Sequence, residues 1–178
     1  MSERKQNKKI DKRAPVIVGV GDLVDRSKED GLNPQELLAK ACEHAIQDSG
    51  IKELSNHIDY VGVVRFTVDF LTATNQSNFQ YSNFPRTLAN KLNISAKNEV
   101  YAPMGGNSPQ VLLEDALVKI STGETDCALL SGGEALQTMI AKLKAGMSLD
   151  WLDEPGGSPE MIGCLLYTSD AADERRGV

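Results

Sequence analysis

The chain has 178 residues, 40% of them apolar and 25% charged, which suits one sizeable globular core and sets aside disordered or fibrous classes. A formal charge of −6 and a pI near 5.0 argue against a nucleic-acid or anionic-membrane partner, and no apolar run is long enough to span a membrane. Cys42, Cys127 and Cys164 lack metal or disulfide spacing, and no secretory apolar region precedes the first apolar run, so the expected compartment is reducing and cytoplasmic.

Residues 1–14 carry Arg4, Lys5, Lys8, Lys9, Lys12 and Arg13 against Glu3 and Asp11, and read as a disordered basic leader. The run PVIVGVG at 15–21 is continuous, apolar and closed by glycine, the pattern of a strand buried on both faces. After a polar loop at 22–33, Asn33 is placed to cap a helix that Pro34 opens. Leu37, Leu38, Ala41, Cys42, Ala45 and Ile46 recur at spacings of three and four along it, and Gly50 ends it. His44 falls on the opposite, wet face and His57 in the following loop. Both read as surface histidines, and no histidine-based metal site is expected from them.

A second strand is expected within 58–66, then a polar loop over 67–83. Pro85 opens a short helix bearing Leu88, Ala89 and Leu92, and a brief third strand covers 100–102. The turn Pro103-Met104-Gly105-Gly106-Asn107-Ser108 feeds a helix with Val111, Leu112, Ala116, Leu117 and Ile120 on its apolar side. Asn107 or Ser108 is its expected cap and Gly123 its stop. A fourth strand over 126–131 runs into Gly132-Gly133-Glu134. Strands alternating with helices in this rhythm predict an α/β fold, with a mostly parallel sheet covered by helices on both faces. Both glycine turns follow strands directly, which puts them at the carboxyl edge of the sheet, where ligands bind in such folds.

Gly105, Gly106, Asn107, Gly132, Gly133 and Glu134 are therefore the ligand-proximal candidates. Amides freed by a Gly-Gly turn before a helix receive a phosphate, a carboxylate or a developing oxyanion, although such a turn also serves simply to reverse the chain. The pattern is neither GxGxxG nor a phosphate loop with a Lys-Ser/Thr pair. Glu134 is placed to orient a ligand, cap the next helix or pair with a lysine. Cys42 and Cys127 lie among apolar neighbours and read as packed thiols.

Three stretches in order, PVIVGVG at 15–21, NPQELLAKACEHAIQDSGI at 33–51 and YAPMGGNSPQVLLEDALVKISTGETDCALLSGGEAL at 101–136, resemble the amino-terminal half of the thiolase family, in its acetyl-CoA acetyltransferase-like or sterol-carrier thiolase-like branch. The resemblance implies a βαβαβαββ unit and acyl transfer on coenzyme A thioesters, with acyl-CoA as substrate rather than a bound cofactor. It also implies a homo-oligomer at full length. The family's nucleophile pattern, N-x-x-C-x-S-G-x-Q, aligned on Gln110, puts the cysteine position on Gly105, followed by Gly106, Asn107 and Ser108. Glycine has no atom with which to form a thioester, and Ser108 and Cys127 are the nearest substitutes. No motif places a histidine as base for Ser108, whose other role is helix capping. The family's G-H-P histidine and C-x-G cysteine, which belong to its second half, do not occur here. The alternative is a non-catalytic thiolase-like subunit that supports a partner or binds acyl-CoA or a lipid carrier.

The expected organisation is a leader at 1–14, a thiolase-like domain at 15–134 and the start of a loop region at 135–163. The string from Cys164 to Glu174 resembles translated sequencing-adapter read-through, so 164–178 are set apart from fold and site reasoning.

Overall fold

The computed structural model describes residues 11–67, 69, 81–151 and 153–163. Most of the expected leader, most of the loop at 67–83 and the tail at 164–178 lie outside the described residues.

Helix α1 (Pro34–Asp48) opens on a reciprocal cap: Asn33 Oδ1 accepts from the Glu36 amide at 2.8 Å, and Glu36 Oε2 accepts from the Asn33 amide at 3.3 Å. Strand β1 (Tyr60–Val64) follows, then α2 (Phe84–Lys91), whose first turn is capped by the Asn83 side chain. Strand β2 (Asn98–Ala102) leads through the first glycine turn into α3 (Ser108–Thr122). Gly123 ends α3 at φ 83°, a left-handed conformation that favours glycine. Strand β3 (Ala128–Ser131), helix α4 (Leu136–Lys144) and the two-residue β4 (Glu160–Met161) complete the order. Helix α4 falls in the stretch expected to begin a loop region.

The described strands form one parallel sheet in the order β3-β1-β2-β4. Its register sets Val61 against Leu129 and Val63 against Tyr101, and these four side chains share a face with Leu38 and Cys42 of α1 and Phe84 and Leu88 of α2. On the other face Tyr60, Val100 and Ala102 meet Leu112 and Ala116 of α3. Strand residues alternate between the two cores because the side-chain period of a strand is two. Gly62 lies where a Cβ would come within 2.8 Å of Leu112 Cδ1, so its missing side chain sets how closely α3 approaches the sheet.

The expected buried strand at 15–21 is corrected. The segment is extended but pairs with no described strand, and Val16, Ile17 and Val20 are 76%, 76% and 68% exposed. Instead it lies along α1. A Cβ at Gly19 would collide with the Ala45 carbonyl and one at Gly21 with the Ala41 carbonyl, so these glycines serve close approach to a helix. An apolar run of this kind forms a buried strand only where a neighbouring strand supplies its ladder.

Candidate functional site

Three parallel strands end side by side at Val64, Ala102 and Ser131, and the chain leaves each of them at the same edge of the sheet. Beyond β2 lies Met104-Gly105-Gly106, beyond β3 lies Gly132-Gly133-Glu134, and beyond β1 lies Arg65. All seven residues line one groove of about 1400 Å³. Asn107 is exposed and outside that lining, while Ser108 is buried at the first position of α3.

Gly105 is exposed, and its backbone stays outside the left-handed region. A Cβ there would lie 3.1 Å from Ser108 Oγ and 3.3 Å from Asn107 Oδ1, so a side chain fits if those two tips yield by a few tenths of an ångström. The Ser108 amide donates to the Gly105 carbonyl at 3.1 Å, which closes the turn. Asn107, the residue before α3, makes no side-chain cap bond, so the expected cap at 107 or 108 is made by the backbone alone.

Glu134 does something more definite than its sequence position foretells. Its Oε1 accepts from both the amide and the hydroxyl of Thr67, each at 2.6 Å, tying the chain after β3 to the chain after β1. Next to it stands a group the sequence reading missed. Asp69 is 4% exposed, and its Oδ2 accepts from Tyr101 Oη at 2.9 Å. Arg65 Nε lies 3.1 Å from the same oxygen as an ion pair, and the guanidinium stacks 4.7 Å over the Tyr101 ring. Burial, then the Asp69 charge, pushes the Tyr101 phenol well above its ordinary value, so it donates as a neutral hydroxyl. The missed signal is Arg65-x-x-x-Asp69, a four-residue spacing inside a stretch read as loop.

The remaining nucleophile and base candidates stand apart. Burial raises the Cys42 thiol, partly offset by a Ser131 hydrogen bond, and burial followed by the Asp59 charge raises Cys127. His44 is exposed and its Nδ1 lies 2.9 Å from the Asp22 carbonyl. His57 precedes β1, at the amino edge of the sheet opposite the glycine turns. Among the described residues no three His, Cys, Asp or Glu side chains gather as metal ligands, and no helix is long and apolar enough to cross a membrane.

No family model matches the sequence, and no curated protein matches it. Among solved structures, a monomeric SCP2-thiolase-like protein type 1 from Mycobacterium smegmatis matches at 31% identity with a TM-score of 0.53. The match covers 70% of this chain and 24% of that one, so the chain spans about a quarter of the relative's length. That relative is described as monomeric, which corrects the expected homo-oligomer. Quaternary state depends on surface residues outside the shared core, so a common fold does not transmit it. The parallel α/β sheet and this match together show a thiolase-like fold, of which the chain carries an amino-terminal part.

Proposed function

We propose that this chain is the amino-terminal part of a cytoplasmic, thiolase-like protein acting on acyl-CoA thioesters, and that its own residues bind the thioester without capturing the acyl group covalently. The observation that carries the reading is Gly105, an exposed turn residue at the head of α3 that lines the groove beside Gly132-Gly133, at the position to which the motif aligned on Gln110 would assign a nucleophilic cysteine. Covalent capture needs a nucleophile and a base within reach. Here the position offers no side-chain atom, both described thiols are held protonated by burial, and Ser108 is buried with neither histidine beside it.

What the arrangement retains is a positive helix end facing a groove, suited to a thioester carbonyl or a phosphate oxygen. Acyl transfer by the whole protein then requires groups from outside the matched quarter. In this proposal residues 15–134 form the binding unit, and Gly105, Gly106, Asn107, Gly132, Gly133 and Glu134 border the ligand.

The test is calorimetric titration of the chain with acetyl-CoA, followed by intact-mass spectrometry. Saturable binding with an unchanged protein mass is the expected outcome. An acetylated protein would overturn the non-covalent reading, and absence of binding by a folded chain would overturn the thioester reading altogether.

A further inference from the structure

On the β2 side the sheet ends in β4, a two-residue strand that sets Glu160 against Val100 and Met161 against Tyr101. The chain reaches it from Trp151, which is buried and whose carbonyl accepts from Gln35 Nε2 at 3.4 Å. No described residue from 153 to 163 is buried, so contacts other than a core hold this segment in place. They fall at three points. A parallel bridge joins Asp153 to Tyr81. The Gly156 carbonyl accepts from Arg86 Nη1 and from Asn83 Nδ2, each at 3.3 Å, and a Cβ at Gly157 would collide with the Arg86 guanidinium. Beside the β2–β4 ladder, Lys119 Nζ of α3 pairs with Glu160 Oε2 at 2.7 Å.

Each side chain of the body that grips the segment also has a partner within the body. Arg86 Nε pairs with Glu99 Oε1 at 2.7 Å. Asn83, fully buried, gives Nδ2 to Glu99 Oε2 at 2.9 Å while its Oδ1 caps α2. Lys119 Nζ lies 3.6 Å from Asp115 Oδ2 and 5.5 Å from the centre of the Tyr60 ring. Departure of the segment therefore strands no buried charge or donor, the penalty that ordinarily keeps a polar contact closed. Its apolar contacts are slight as well, since Met161 is 50% exposed and Ile162 is only partly buried against α3.

We infer that residues 153–163 are a strap that opens as one unit from an otherwise folded sheet, with Trp151 as its fixed root. Segments with few buried apolar contacts open below the free energy of global unfolding. The three attachments lie on one short run with no buried residue between them, so each holds the others in register and losing one loosens all. The open state bares the outer backbone edge of β2, which β4 otherwise guards. It also releases Gly163, where a Cβ would come within 3.0 Å of Pro103 Cγ, from the flank of the first glycine turn. The inference does not rest on the thioester reading.

The test is hydrogen exchange of the 178-residue chain, read by nuclear magnetic resonance at the amides of the Tyr81–Asp153 bridge and of the β2–β4 ladder. Both sets should report one shared opening equilibrium and exchange faster than the β1–β3 ladder. Glu160→Gln keeps the shape of that side chain and removes the charge pair at one end of the strap. It should quicken exchange about two- to fivefold at the ladder and by the same factor at the distant bridge. Gly157→Ala, in the middle, meets both the guanidinium and a φ of 70°, and should quicken both ends about five- to thirtyfold. Neither variant alters a buried side chain, so circular dichroism and the β1–β3 amides should stay as they are. A Glu160→Gln effect confined to the ladder, or a bridge that responds to neither variant, would overturn the inference. So would equal quickening of the β1–β3 amides, or strap amides that exchange only as slowly as those do, since either would mean that the segment opens only with the whole sheet.

Discussion

Replacing Gly105 by cysteine puts a thiol at the position that the nucleophile pattern, aligned on Gln110, would assign to one, and the local geometry fixes what that should cost. The added Cβ meets only the tips of Ser108 and Asn107, at 3.1 and 3.3 Å, and the backbone needs no left-handed angle. Crowding of that size is opposed by the narrower unfolded ensemble of a non-glycine residue, which stabilises by about 0.4–1 kcal/mol. The net change in stability should therefore stay within about 1 kcal/mol. An unperturbed thiol is roughly 3% ionised at neutral pH. A one-unit depression at the head of α3 raises the thiolate about eightfold, and the accompanying loss of nucleophilicity removes about a factor of three. Reaction with an aromatic disulfide reagent should thus run roughly threefold faster than for glutathione, and far faster than for Cys42 or Cys127. Mass mapping of the labelled site and urea midpoints of both proteins give the two readouts. Labelling slower than glutathione, or a loss above about 2 kcal/mol, would refute the assignment of Gly105 to an open, helix-facing nucleophile slot.

Gly62→Ala should destabilise by about 1–3 kcal/mol, since the new methyl overpacks Leu112 and Tyr60 at 2.8 Å; urea midpoints check it, and a neutral result would mean α3 shifts freely on the sheet. Asn33→Ala removes the acceptor for the Glu36 amide and should cost about 1 kcal/mol by the same measurement, with Asn33→Ser recovering most of it. Stability should also fall in alkali. Cys42 and Cys127 are held above the ordinary thiol value of 9.0, and Tyr60, Tyr81 and Tyr101 above the ordinary phenol value of 10.0, all chiefly by burial. The folded chain keeps these protons where the unfolded chain releases them, so their contribution is complete below 9.0 and is lost progressively above it. Midpoints measured between about pH 7 and about pH 10.5 should decline, more steeply past 10.0, and a flat profile would contradict the burial of these groups.

Elements whose partners are local were legible in the sequence, and elements whose partners are remote were not. Helix α1 could be read at both ends because Asn33 and Pro34 at its start and Gly50 at its end act on neighbouring positions. Strands β1 and β3 lay inside the expected apolar runs, β2 begins two residues ahead of its expected run at 100–102, and their parallel direction followed from the helices between them. The run at 15–21 has the same composition, yet whether it forms a strand depends on a neighbour that its own residues do not specify. Of the site, the glycine turns were visible because glycine marks a turn wherever it occurs. Asp69 was not, because its partners Tyr101 and the Tyr81 amide come from distant parts of the chain.

That remote wiring alters what the glutamate after the second glycine turn is for. Sequence position left Glu134 as a ligand orienter, a cap or a lysine partner, and one of its oxygens is instead committed to two short bonds from Thr67. Two residues further along, Asp69 binds Tyr101 of β2, so the chain leaving β1 is held to β3 through Glu134 and to β2 through Asp69. Arg65, at the start of this pinned stretch, lines the groove between the glycine turns. Its ion pair with Asp69 and its stacking on Tyr101 fix the guanidinium against β2. A turn at 105 without a nucleophilic side chain is compatible with the proposed non-covalent binding, and the two carboxylates hold the chain that leaves β1 in place.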